Sequence, residues 1–410
     1  MRVLHLSLGY NSTGADRCAR ELFERLPKFG VETAMWIGEY SRDLPPGVSY
    51  FPRPWERFLF PLEAFPDLTD WRHRGSIAKL PAISKDHFDL VHMHNIHSGW
   101  LSMKALKEFT QRFPCVWTLH DEWAPNRGLT YNLTGKITKS QAREMSRGPL
   151  RYIPYPRYHE NFKWRRTRKL LDKWMPQPRV VICPSRFMAD MTRSSGVFPN
   201  SNIVRIPNGT NMLDVPNARM NRVEARRSFG LSAESPVVLM IAADMGNAHK
   251  GIDLAIKALK RVDPALAVQV LLLGRSAQEI QKTLRPLSTA ATFARDDMKL
   301  AQAYRAADLT IIPSLGENFP YVALESLACG TPLVSFPIGG MPEIIGKNER
   351  GRICEAIDAL EMSSHISELL SENDLRARLG VQGTEWVKEN CEMTNYLKKI
   401  VSLYRQVVNE

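Results

Sequence analysis

Along the chain, short runs of β-branched and apolar residues alternate with stretches whose apolar positions recur every three to four residues. Alternation of that kind predicts βα units and parallel sheets, because a parallel strand needs a crossover helix and is covered on both faces. In the first half, strands are expected at 3–8, 32–37, 88–94, 115–119 and 180–184. Helices are expected at 15–29, where Ala19, Leu22, Phe23 and Leu26 share one face, and at 101–113. Segments 40–80 and 122–160 are rich in proline, aromatic and basic residues and are expected to be long excursions from the core.

The alternation breaks at the turn-forming Ile206-Pro207-Asn208-Gly209, and an uneven polar stretch follows. A second series then predicts strands at 237–242, 268–273, 309–313 and 333–336, with helices at 251–262, 300–307 and 321–329. Helical patterns near 357–371, 374–390 and 394–408 close the chain. A chain of 410 residues is too long for one ordinary core. The expected fold class is α/β with two Rossmann-like doubly wound domains, 1–205 and 206–385, and a C-terminal helix, 386–410, packing back on the first. Ligands of such sheets bind outside the carboxyl ends of the strands, so a central cleft faced by both sets of strand ends is where a site is expected.

Composition narrows the class. Apolar residues make up 44% and charged residues 24%, which is globular. The longest strong apolar run, 237–243, is far short of the ~18 residues that a membrane span needs. Met1-Arg2-Val3-Leu4 enters a strand directly, without the look of a signal peptide. Six scattered cysteines form no CxxC pair and have no histidine at metal-ligand spacing, so neither a disulfide framework nor a zinc site is expected, and a cytoplasmic location fits. The net charge of +12 is concentrated: 136–179 holds thirteen Lys or Arg against three Asp or Glu. In 163–174 the cations alternate with Trp and Leu. That is either a solvated helix or a patch for an anionic membrane surface; no nucleic-acid motif accompanies it.

Candidate chemistry is densest in 314–332. An apolar strand ends at Pro313, a loop containing Gly316 follows, and Asn318 is expected to cap a helix with Pro320 in its first turn. Gly330 and Pro332 stop it. The amides of Phe319, Pro320, Tyr321, Val322 and Ala323, taken as a helix start, would make an anion site suited to a diphosphate. Glu317 and Glu325 bracket that site, and carboxylates accept well from vicinal hydroxyls.

Glu317 and Glu325 with seven residues between them, the flanks Glu317-Asn318-Phe319-Pro320 and Ala328-Cys329-Gly330-Thr331-Pro332, and Gly339-Gly340-Met341-Pro342-Glu343 together resemble the retaining GT-B glycosyltransferases of family 4, also called group 1. The resemblance implies that Glu325 holds the ribose and Glu317 the sugar of a nucleotide-diphosphate sugar. It makes Lys250, in the Lys250-Gly251 pair after the strand at 237–242, the cation on the donor diphosphate. Relatives commonly have an Arg where this chain has Met245, and Arg275 is the candidate substitute. Trp117-Thr118-Leu119-His120-Asp121 resembles a family segment whose histidine bonds a donor-sugar hydroxyl, which is carried to His120. Gly14-Ala15 is what remains of a Gly-Gly-Ala that lies under the phosphates. His92, His94 and His97 have metal-like spacing, but relatives share it without metal, so no metal and no cofactor are expected.

The expected function is transfer of a sugar, with retention, from a nucleotide sugar to a glycan or lipid-linked acceptor in polysaccharide assembly, by a cytoplasmic enzyme peripheral to the inner membrane face. The catalytic candidates are Glu317, Lys250 and His120. Two rivals stay open: a GT-B nucleotide-sugar 2-epimerase, and a non-catalytic nucleotide-sugar-binding scaffold.

Overall fold

A computed structural model describes residues 1–10, 13–39, 43–50, 87–97, 100–128, 130–131, 162–294 and 296–410. The expected excursion 40–80, most of 122–160 and the first part of the basic segment lie largely outside these residues. The chain divides into two compact units. One holds the described residues up to 131, then 162–208 and Thr394–Glu410; the other holds Gly209–Met393.

In the first unit a seven-stranded parallel sheet contains β1 Arg2–Ser7, β2 Glu32–Ile37, β3 Val48–Tyr50, β4 Leu90–Met93, β5 Cys115–Thr118, β6 Val180–Cys183 and β7 Asn202–Arg205, ordered β3-β2-β1-β4-β5-β6-β7. Its helices are α1 Gly14–Arg25, α2 Met103–Thr110, α3 Phe162–Trp174 and α4 Arg186–Ser195. The chain order reverses between β1 and β4, which is the switch point where doubly wound sheets take ligands. The helix expected over 15–29 ends at Arg25 and tightens into a 3-10 turn, Leu26–Phe29, because Pro27 supplies no amide to continue the ladder.

The second unit begins with α5 Arg222–Arg227. Its six-stranded parallel sheet contains β8 Val237–Asp244, β9 Gln269–Arg275, β10 Ser288–Thr292, β11 Leu309–Ile312, β12 Leu333–Ser335 and β13 Gly351–Ile353, ordered β10-β9-β8-β11-β12-β13. Between and after these lie α6 Ile252–Leu259, α7 Ala277–Thr283, α8 Asp297–Ala306, α9 Tyr321–Ala328, α10 Met341–Ile345, α11 Ala359–Ser371 and α12 Asn373–Asn390. Its switch point is between β8 and β11. The last helix, α13 Met393–Asn409, belongs almost entirely to the first unit. Its Tyr396 hydroxyl meets Cys18 Sγ at 3.4 Å and its Tyr404 hydroxyl meets His92 Nδ1 at 2.5 Å.

All four residues of β4, β5, β6 and β11 are buried. Such strands, covered by helices on both faces, are why the sequence shows continuous apolar runs there. No described helix is long and apolar enough to cross a membrane. Of the basic segment, α3 shows Arg168, Lys169 and Lys173 exposed and Leu171 buried, the arrangement of an amphipathic surface helix.

Candidate active site

In the second unit the site is built by two glycine turns pressing on the loop after β11. Gly251 has φ +63°, and a Cβ there would stand 2.0 Å from the Pro313 carbonyl oxygen. Only glycine admits both the left-handed backbone and that approach. The turn is fastened by the Leu315 amide donating to the His249 carbonyl at 2.7 Å. On the other side Gly339, at φ +52°, lies so close that a Cβ would be 1.5 Å from the Glu317 carbonyl oxygen, and the Gly340 amide donates to the Asn318 carbonyl at 2.8 Å.

Held this way, Lys250 Nζ donates to Glu317 Oε1 at 2.6 Å, and Ser314 Oγ donates to the same oxygen at 2.8 Å. Glu317 is 7% exposed. Burial pushes its carboxyl up, but the Lys250 ammonium, then His249 and the Ser314 hydroxyl, outweigh burial and hold it below the usual carboxylate range. The result is an ionised, acceptor-only group beside a fixed cation, at the carboxyl ends of the two strands flanking the switch point.

The helix after Glu317 starts later than expected. Asn318 is not its cap: α9 begins at Tyr321, and Pro320 occupies the cap position with φ −72° and ψ 134° and no side-chain cap. Proline's fixed φ suits that extended residue as well as it suits a first turn. The Ala323 and Leu324 amides return to the Pro320 carbonyl at 3.1 and 3.5 Å. The expected amide set therefore loses Pro320, which has no N–H, and Ala323, whose amide is taken. Glu325, one turn on, is 2% exposed and accepts from the Tyr304 hydroxyl at 2.9 Å. It is an interior residue of α9, not a surface one.

Met245 is buried in the core, its side chain against Gly274, so no cation replaces the family's arginine at that position. Arg275 is 64% exposed at its side chain and turns to Asp244, at 3.9 Å, and to the Ala243 carbonyl, at 3.3 Å. None of its described contacts joins it to Lys250 or Glu317.

In the first unit, Gly14 is the exposed first residue of α1. Sequence reasoning missed Asp16. One of its carboxylate oxygens accepts from Ser7 Oγ and the Gly9 amide, both at 2.9 Å, and the other from the Thr13 amide and hydroxyl at 3.0 and 2.8 Å. Thr13 with an acid three residues on is a capping box, so this signal was present in the sequence. The carboxylate offsets the positive end of α1, which weakens any pull on a phosphate over Gly14.

His120 lies two residues beyond β5 and lines a small depression with His94, His97, Trp117, Asp121 and Trp123. His120 Nε2 hydrogen-bonds His94 Nδ1 at 3.1 Å, and His94 Nε2 hydrogen-bonds His5 Nδ1 at 3.2 Å. His97 leaves the group expected from its spacing: it pairs with Asp121 at 2.8 Å and stacks on Trp123. The histidines that do gather are His5, His92 and His94, with ring nitrogens within 4.8 Å of one another. Both nitrogens of His92 and of His94 are already hydrogen-bonded, so a cation would have to displace those bonds.

Two family models match this chain: "Glycosyl transferases group 1" over residues 221–386 and "Glycosyltransferase Family 4" over residues 12–212. Between them they take in most of its length. The chain belongs to the group 1, family 4 glycosyltransferases. A similar curated relative of this glycosyltransferase is the D-inositol 3-phosphate glycosyltransferase of Salinispora arenicola, 25% identical over 95% of this chain and 86% of that protein. Among solved structures, sucrose-phosphate synthase from Thermosynechococcus elongatus superposes with a TM-score of 0.69 at 20% identity, covering 99% of each chain. Anabaena HepE in complex with UDP-glucose gives 0.69 at 18% identity over 99% of this chain and 100% of that one. These likenesses identify the fold of the glycosyltransferase as GT-B.

Proposed function

We propose that this glycosyltransferase transfers a sugar, with retention of configuration and without a metal ion, from a nucleoside-diphosphate sugar to a glycan or lipid-linked acceptor in polysaccharide assembly. The observation that carries the reading is the Lys250 to Glu317 pair at the switch point of the second sheet. Lys250 is the cation for the donor diphosphate, aided by the first amides of α9. Glu317 and Glu325 accept from sugar and ribose hydroxyls, and His120 hydrogen-bonds the sugar. A fixed ammonium on the departing phosphate does the work a metal would do, since the dominant catalytic need is stabilising charge on the leaving group. No side chain is assigned as a nucleophile; the acceptor attacks the face the diphosphate leaves, and the leaving phosphate oxygen takes its proton.

That HepE was solved with UDP-glucose makes uridine donors the first to try. The test is a thermal-shift panel of UDP-, GDP-, ADP- and dTDP-sugars, followed by NMR of the product's anomeric centre. A donor at 100 times its Kd adds about 2.7 kcal/mol of stability. An inverted product would refute retention. Full occupancy without turnover or hydrolysis would favour the scaffold, and epimerised sugar from donor alone would favour the epimerase. The exposed cations of α3 carry the lipid-linked part of the reading, and vesicle binding insensitive to salt and to anionic lipid would remove it.

A further inference from the structure

Three imidazoles form one hydrogen-bonded row from the core to the depression. His5 Nδ1 and His94 Nε2 are 3.2 Å apart, and His94 Nδ1 and His120 Nε2 are 3.1 Å apart. Each ring is neutral at physiological pH. Burial brings His5 to about 3 and His120 to about 4, and it holds His94 well below its ordinary value. A neutral imidazole carries a single N–H, so the row can be filled in only two ways.

In one filling every Nδ1 is protonated: His5 donates to His94, His94 donates to His120, and the Nδ1–H of His120 points onward. In the other every Nε2 is protonated, the donations run inward, and the row ends on the Nε2–H of His5. That atom decides between them. His5 is fully buried, and its Nε2 has no hydrogen-bond partner among the described residues. An orphaned N–H in the interior is rare and costs about 1–3 kcal/mol, so the inward filling is penalised where the outward one leaves only a lone pair. His92 does not compete for the row, because the Tyr404 and Thr118 hydroxyls take both its nitrogens. No hydrogen bond joins Asp121 to His120 among the described residues; the Asp121 oxygens meet His97 and the Trp123 amide. His120 Nδ1 is bonded to no described residue, and its ring lines the depression.

We propose that His5 and His94 are positioning residues that lock His120 in its Nδ1–H form, so that it offers a hydrogen-bond donor, and not a base, to the oxygen it meets. That the oxygen belongs to the donor sugar rests on the function proposed above. On that reading, the sugar position facing His120 must carry an oxygen able to accept, and a donor deoxygenated there binds and reacts poorly.

The tautomer is read directly from two-bond ¹H–¹⁵N correlation spectra of the full-length protein labelled at histidine, at neutral pH, with His120→Asn assigning the His120 signals. A protonated Nδ1 on His120 supports the relay; a protonated Nε2, or a doubly protonated ring, overturns it. His94→Phe keeps a ring and removes the donor to His120 Nε2. It is expected to let the Nε2–H form of His120 appear and to lower kcat/KM about tenfold, the loss of one hydrogen bond. His94→Asn keeps an N–H near the Nδ1 position and is expected to keep both the Nδ1–H form and most of kcat/KM. The relay is also overturned if His120 holds its form in both variants. Nδ1–H in the spectrum with wild-type turnover by His120→Phe, which carries no N–H, would sink the sugar contact and leave the relay standing. Slow turnover by that variant with Nε2–H in the wild type would do the reverse.

Discussion

At the Lys250 and Glu317 pair, one cation holds a buried carboxylate and, on the proposed mechanism, a departing diphosphate. Lys250→Ala therefore removes two things. Loss of a leaving-group donor should lower kcat by ~10²–10³ in a donor-turnover assay. The same change leaves a buried carboxylate without its cation, so stability should fall as well. The sign of the pH dependence follows from the wild-type Glu317, held below its unfolded value by Lys250. Its contribution is present above the unfolded value and is lost as pH falls through the folded one. The Tm gap between wild type and Lys250→Ala should thus be widest near neutrality and close as both carboxyls protonate. A gap constant from neutral pH down to pH ~3, below the unfolded carboxyl range, would show that charge does not couple the pair. Met245 makes a second residue-scale case. Restoring the family's arginine by Met245→Arg should not rescue activity; it should bury an unpaired guanidinium and lower the unfolding free energy by several kcal/mol. A stable, faster Met245→Arg enzyme would show that the side chain can swing out of the core.

The elements that aim this pair are turns, and they depend on two glycines. A Cβ at Gly339 would meet the Glu317 carbonyl oxygen at 1.5 Å on a left-handed backbone. Gly339→Ala should therefore push the Glu317 loop out of place, raising the KM for donor and lowering Tm together. Gly230→Ala is the control: its φ of +68° gives the same backbone strain, but a Cβ there meets nothing within 4 Å. Donor KM equally disturbed in both variants would mean that the close approach plays no part. These turns were half legible. Glycines in these loops mark left-handed backbone, but which carbonyl each one faces depends on strand neighbours that the sequence does not disclose. The same divide separates found strands from missed ones. Interior strands such as β4 and β11 announce themselves as apolar runs. The strands missed were β3, β7, β10 and β13, which are the four sheet edges. An edge is covered less completely, so Asn202-Ile203-Val204-Arg205 and Ser288-Thr289-Ala290-Ala291-Thr292 need no such run. Glu317 and Lys250 were singled out through the family resemblance of their two short segments, but their pairing was not, because it joins loops 67 residues apart. The histidine row was not, because it needs His5 beside His92 in the β1 and β4 register.

On the scale of the whole molecule, the last helix completes the first unit although the chain has by then built the second. Tyr396, Leu397, Ile400, Val401, Leu403, Tyr404 and Val407 of α13 are all buried, and Arg179 on the sheet side donates to the Val407 carbonyl. At ~1.5–3 kcal/mol per fully buried apolar side chain, removing these seven forfeits an amount on the order of 10 kcal/mol, as large as the whole stability of an ordinary domain. A chain ending at Met393 should therefore lose the folded first unit while Gly209–Met393 stays intact. Limited proteolysis should cut it throughout 1–208 and spare the rest, and nucleotide should still raise the melting temperature of what remains. Tyr404→Phe tests the polar part alone. It strips one partner from His92 and leaves the apolar packing, so the cost should be about 1 kcal/mol, and the unit should still fold. If the shortened chain resisted protease as the full one does, α13 would be a passenger on the first unit. The burial of Tyr404 and its bond to His92 would then have to be explained without any role in holding that unit's core together.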